Sequence, residues 1–281
     1  MRTRSFRTIG CVALATTLAS TELRSQQSSC SAFPRPVVPA APPDSASRGP
    51  EYWFWSHAFD RETTGVGVLS PGNRDDGGPP GTDWLPDTSL PLYARAGDRE
   101  PSAWMHLGWW LPARGERRAL TYRGMLETEY EQASIVVTET REDGWLQVWV
   151  DMGPVPRAAS HGVMWTHTCV LDLGPSPLTL SLWAERFVGP DAPPLSFLGE
   201  ERHALRDGPD VSGTRIAWLG PDDEVELIEI DGDWARVRAF RPGVFLTGCL
   251  GDDWDGEELS GWIKWRDEDS GSWLWYPTRG C

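Results

Sequence analysis

Between Arg202 and Asp267 the chain repeats one grammar: turn residues, a short alternating run, then turn residues again. Leu205-Arg-Asp-Gly-Pro-Asp210 leads to Ile216-Ala-Trp-Leu219 and then to Val225-Glu-Leu-Ile-Glu-Ile230. Asp231-Gly-Asp-Trp-Ala-Arg-Val237 and Ser260-Gly-Trp-Ile-Lys-Trp265 complete the series. Alternation with a period of two sends successive side chains to opposite faces of an extended strand, and the Gly and Pro residues between runs reverse the chain. The stretch therefore predicts a small antiparallel β-module. The rest of the chain agrees. It carries 17 Trp, 29 Gly and 24 Pro, and no window sustains a capped apolar stripe at helical period, so an all-β fold is expected throughout.

Alternation also assigns faces. In Trp234–Phe240, Ala235, Val237 and Ala239 share one side, while Trp234, Arg236, Arg238 and Phe240 share the other. In Trp145–Val150, Leu146, Val148 and Val150 oppose Trp145, Gln147 and Trp149. The small apolar faces are expected inside. Asp231-Gly232 and Asp143-Gly144 stand where hairpins must reverse, since Gly supplies the positive φ of tight turns.

These two stretches belong to an internal echo. Leu90–Gly97 followed by Ala103–Leu107 parallels His203–Gly208 followed by Ile216–Leu219. Ile135–Val148 parallels Leu227–Val237, and His161-Gly-Val-Met-Trp165 parallels Ser260-Gly-Trp-Ile-Lys-Trp265, setting Val163 against Trp262. Three blocks in the same order predict two tandem copies of one module. The first spans 90–188 with an insertion from Leu111 to Glu131. The second spans 202–281 with an acidic insertion at 241–259. Residues 189–201, around Pro190–Pro194, read as a linker. Ahead of them, 51–89 reads as an aromatic segment and Gly/Pro loop packing on the first module, and 21–50 as a Pro-rich tether unable to bury a core.

Residues 202–267 resemble the bacterial Src-homology-three-like (SH3-like) family. Leu205-Arg-Asp-Gly208-Pro209, Gly232-Asp-Trp234-Ala-Arg-Val237 and Gly261-Trp262-Ile263 carry the likeness. Residues 90–168 share it more loosely. The resemblance implies two small half-open β-barrels, non-catalytic and exported, with partners at the cell envelope. It carries no site with it.

Charge narrows the partners. The formal net charge is −15, so nucleic acid, which requires a basic face, is not an expected ligand. Residues 1–20 resemble a signal peptide: Arg2, Arg4 and Arg7 precede a short apolar core, and Thr17-Leu-Ala19 offers a cleavage site. No window is long and apolar enough to span a bilayer. A secreted or periplasmic location follows. Cys30, Cys169, Cys249 and Cys281 would remain after cleavage, and four cysteines allow three pairings. Cys249–Cys281 is the expected bridge, because the end of the chain must fold back onto the copy that carries Cys249.

Catalytic and metal motifs are not found. The five His lack ligand spacing, and no serine-hydrolase elbow, phosphate loop or dinucleotide fingerprint is present. No cofactor and no metal are expected. The loop Gly251-Asp-Asp-Trp-Asp-Gly-Glu-Glu258 places Asp253 and Asp255 beside Trp254. Loop aromatics are common contact points, so Trp254, Trp265, Asp253 and Asp255 are the candidate ligand-binding residues. The expected function is an exported binding module for a protein or peptide at the cell envelope, with peptidoglycan as a further ligand class. A scaffold with no ligand, and an accessory part of a cell-wall hydrolase system, are the alternatives.

Overall fold

The computed structural model describes residues 30–41, 64–72, 84–120, 125–129, 132–151, 161–189, 192, 194–244, 255–267 and 270–276. The chain divides into two compact units, 1–35 and 36–281. In the first, the described residues form a turn in which the Phe33 amide donates to the Cys30 carbonyl at 3.2 Å. Cys30 is disulfide-bonded to Cys169. Cys249 and Cys281 lie outside the described residues, as does the leader-like segment 1–20.

The second unit is all-β. Its first half contains β1 (Gly67–Pro71), β2 (Ser89–Leu92), β3 (Ala103–His106), β4 (Trp109–Pro112), β5 (Arg118–Ala119), β6 (Leu126–Glu129), β7 (Gln132–Thr140), β8 (Trp145–Asp151), β9 (His161–His167) and β10 (Leu178–Leu182). One helical turn, Trp183–Arg186, leads to the second half. There follow β11 (Leu195–Phe197), β12 (His203–Arg206), β13 (Arg215–Leu219), β14 (Glu224–Asp231), β15 (Trp234–Arg241), β16 (Glu257–Lys264), β17 (Arg266–Asp267), β18 (Ser270–Ser272) and β19 (Leu274–Trp275). All the ladders between these strands are antiparallel.

The second half forms one seven-stranded sheet in the order β13-β12-β16-β15-β14-β11-β19. In the first half β9-β8-β7-β1-β10 form one sheet, and β2-β3-β4-β5 another. An antiparallel bridge between Tyr93 and Trp165 connects the two. Through that bridge the first half reads β3-β2-β9-β8-β7-β1-β10, the same order strand for strand. The registers agree as well. Trp145 pairs with His167 where Trp234 pairs with Lys264, and Tyr93 meets Trp165 where Arg206 meets Trp262. A bulge interrupts the ladder between Val137 and Glu139, and its counterpart lies between Leu227 and Glu229. The structural counterpart of Trp262 is therefore Trp165, so the sequence match that set Val163 there slides along to Trp165. The parity of the strand is kept, which is why the sequence pattern tolerated the slip.

Two strands lie outside the stretches that the sequence reading assigned to the two modules. Leu195–Phe197, inside the expected linker 189–201, lies between β14 and β19. Gly67–Pro71, inside the expected aromatic segment and loop 51–89, lies between β7 and β10. A three-residue strand is too short to show alternation, and β1 is buried at every position, so it has none to show. No closed barrel is formed: among the described residues, each sheet keeps end strands.

Two cores follow from this arrangement. Leu69, Leu90, Leu92, Met105, Ile135, Val137, Leu146 and Val148 belong to the first. Leu205, Leu219, Val225, Ala235, Val237, Ala239 and Ile263 belong to the second, together with Val68, Val136 and Trp183 from the first half. Adjacent residues of β1 and β7 thus enter different cores. The middle of the first sheet, at β1 and the start of β7, is buried on both faces, one of them against the second half. The expected inner faces at Ala235, Val237, Ala239 and at Leu146, Val148, Val150 are buried. Trp234 is only half-buried, while Phe240 and Trp145 on the expected outer faces are covered. The turns carry the expected glycines at positive φ, Gly144 at 88° and Gly232 at 60°.

Candidate binding edge

The β12–β13 hairpin is built by its turn. The Asp207 amide donates to the Thr214 carbonyl at 3.1 Å, and Asp207 Oδ1 accepts from the Thr214 amide at 2.7 Å. Asp210 Oδ1 accepts from the Ser212 amide, the Ser212 hydroxyl and the Gly213 amide at 2.7, 2.5 and 3.0 Å. The Ser212 hydroxyl bond is the main reason the Asp210 carboxyl sits below its ordinary pKa. Arg206 clamps the loop by donating to the Gly213 carbonyl at 2.7 Å. Both carboxylates are thus engaged with the loop's own donors. Among the described residues no group of three His, Cys, Asp or Glu is placed to hold a metal.

This loop holds β13 at one end of the seven-stranded sheet, with a neighbour on one side only among the described residues. Leu219 points into the core and is fully buried. Ile216 and Trp218 stay outside, 47 % and 43 % exposed. The Arg215 guanidinium lies over the Trp218 ring, 4.7 Å from its centroid. Exposed apolar side chains along an unpaired strand edge are costly for a monomeric protein, because the edge invites another strand.

The first half shows the same edge filled. Leu92 faces Ala103 in β2–β3 as Leu205 faces Ala217 in β12–β13, so Trp104 is the counterpart of Trp218. Beyond β3 comes β4, antiparallel, with Leu111 opposite Trp104 and Trp110 opposite Met105. The hairpin reverses at Leu107 and Gly108, whose φ values of 48° and 80° are those of a two-residue primed turn. Under this cover Trp104 is only 8 % exposed.

The residues singled out from sequence are spread differently. Asp253 and Trp254 lie outside the described residues, and Asp255 is exposed just before β16. Trp265 is 1 % exposed. Its indole donates to the Gly232 carbonyl at 3.2 Å and its amide to Asp233 at 3.0 Å, so it locks the β14–β15 turn onto the core. Sequence reasoning recorded Trp218 but did not single it out as a binding residue. The signal available was the insertion in the first half, since β4 reaches into it and pairs with β3, whereas among the described residues no strand pairs with the outer edge of β13.

One contact has the look of catalytic chemistry. Ser89 Oγ and His106 Nδ1 are 2.8 Å apart across β2–β3. Both residues are only 3 % exposed, and His106 Nε2 has no hydrogen-bond partner to orient it. Burial holds the imidazole below its ordinary pKa. The pair is a core contact, closed to a substrate from solvent. No helix among the described residues is long and apolar enough to cross a membrane. No protein-family model matches the chain, and no curated protein matches it.

Proposed function

We propose that the chain is an exported, non-catalytic tandem of one SH3-like β-module that binds a protein or peptide at the cell envelope. The repeated strand order supports the tandem reading: the same seven strands, the same bulge and the same cross-strand Trp positions recur in both halves. The bridge between Cys30 and Cys169 suits an oxidising compartment. The observation that carries the binding role is the uncovered β13 edge, with Ile216 and Trp218 in solvent where the first copy buries the equivalent Trp104.

The test uses the full mature chain as bait on envelope extract, beside sedimentation with purified peptidoglycan and a hydrolase assay on the same wall material. A protein captured in stoichiometric amount, with no release of wall fragments, supports the reading. Retention of nothing, or hydrolysis abolished by a point substitution, overturns it.

A further inference from the structure

We infer that the outer edge of β13 receives an extended peptide, antiparallel to it, that covers Trp218 with an apolar residue and brings a carboxylate to Arg215. This rests on the binding-module reading and names its partner chemistry.

Three observations converge on that occupant. The first is the edge itself. Among the described residues β13 pairs only with β12, so its outward amides and carbonyls have no ladder partner. The second is the first copy, where β4 fills the equivalent edge with Trp109-Trp-Leu-Pro112 and takes the matching Trp from solvent. The fold thus accepts a strand here, and the cover it accepts is aromatic and aliphatic.

The third observation is charge. Three other arginines of this sheet are paired with carboxylates, Arg236 with Glu229, Arg238 with Glu226, and Arg241 with Asp223 and Glu257, while Arg206 is taken up by the Gly213 carbonyl. Arg215 has a ring beneath it but no carboxylate among the described residues. In a chain of net charge −15, an arginine left over beside an apolar edge is complementary to an acidic partner.

A bulge between Leu205 and Arg206 and the cation at Arg215 are devices that discourage edge-to-edge aggregation. Ile216 and Trp218 beside them work the other way. A second copy of this chain is the poorer occupant. A strand of five residues is only about 17 Å long, far short of the area a stable dimer buries, and the two chains would repel. A single peptide strand needs no more than this edge.

The probe is a blocked, labelled peptide of the chain's own Gly108–Ala113 followed by Glu in place of Arg114. A second peptide keeps Arg114. Both are titrated by fluorescence anisotropy against the full mature chain and its Trp218→Ser and Arg215→Gln variants, with melting temperature and sedimentation as controls. Hydrogen exchange locates the bound strand. The Glu peptide is expected to bind about tenfold more tightly than the Arg peptide, because one is attracted by Arg215 and the other repelled. Trp218→Ser should weaken the Glu peptide about tenfold or more, Arg215→Gln should erase the preference for Glu over Arg, and amides of 215–219 should gain protection. Both positions are exposed, so both variants should melt with the wild type. Equal affinity across the variants, protection elsewhere, no binding at all, or dimerisation through the same edge overturns the proposal. An envelope protein captured equally by the wild type and Trp218→Ser would reject the edge and leave the binding-module reading standing. Capture of nothing by either would reject both.

Discussion

Trp183 is the residue whose removal should tell most about this fold. Its side chain is completely buried. Its ring stacks on Phe187 at 5.3 Å and meets Trp275 edge-on at 4.9 Å, while its indole donates to the Thr64 carbonyl at 2.8 Å. These contacts join the end of the first half to the last strand of the second half. Nearby, the Thr64 hydroxyl accepts from the Ser272 amide at 2.8 Å. Truncating a buried Trp to Ala costs about 3–5 kcal/mol, and depriving a buried carbonyl of its donor adds about 1 kcal/mol. Trp183→Ala should therefore lose about 4–6 kcal/mol. Trp183→Phe keeps the stack and loses the hydrogen bond, so about 1–2 kcal/mol is expected. Urea unfolding followed by far-ultraviolet circular dichroism avoids the crowded Trp emission. The shared core makes a further demand: the wild type should unfold in one transition, with both halves contributing to the slope. A loss below about 1 kcal/mol for Trp183→Ala, or two separate wild-type transitions, would refute the shared core.

Stability should fall with acid below about pH 6.5, the unfolded histidine value. Burial depresses His106 in the folded state, so between that depressed value and about 6.5 the unfolded chain binds the extra proton. His106→Gln should reduce the slope of stability against pH without abolishing it, because burial also depresses His167 despite the opposing influence of Asp143. An unchanged slope in urea titrations across this range would count against the assignment. Trp234→Ala should cost clearly less than Trp183→Ala, about 1–3 kcal/mol, because Trp234 is half-buried and the core side of its strand belongs to Ala235 and Val237. Matched denaturation curves compare the two. Peptide mapping without reduction should recover Cys30 joined to Cys169, and a free Cys169 thiol in the oxidised protein would contradict the bridge.

Local chemistry made much of the architecture legible. Alternation in Trp234–Phe240 and Trp145–Val150 announced two-faced strands, and glycine at the reversals announced the hairpins. These are nearest-neighbour effects, written wherever one face meets a core and the other meets water. The segment read as an insertion, Leu111 to Glu131, holds the end of β4 together with β5 and β6 among the described residues.

Other features depended on what each strand met after folding. Val68 and Leu69 are equally apolar, and only the docking of the second half against the first sheet sends them into different cores. Leu195–Phe197 has too few residues to declare a strand, and it becomes one because β14 and β19 supply partners on both sides. The same holds for Trp104 and Trp218. They occupy equivalent positions in equivalent hairpins, and nothing within either short run distinguishes them. One is buried because β4 turns back over it, and the other is exposed because β13 ends its sheet among the described residues. Strand identity is set by the period of a few neighbouring residues, whereas coverage of an edge is set by a segment that must arrive from elsewhere in the chain.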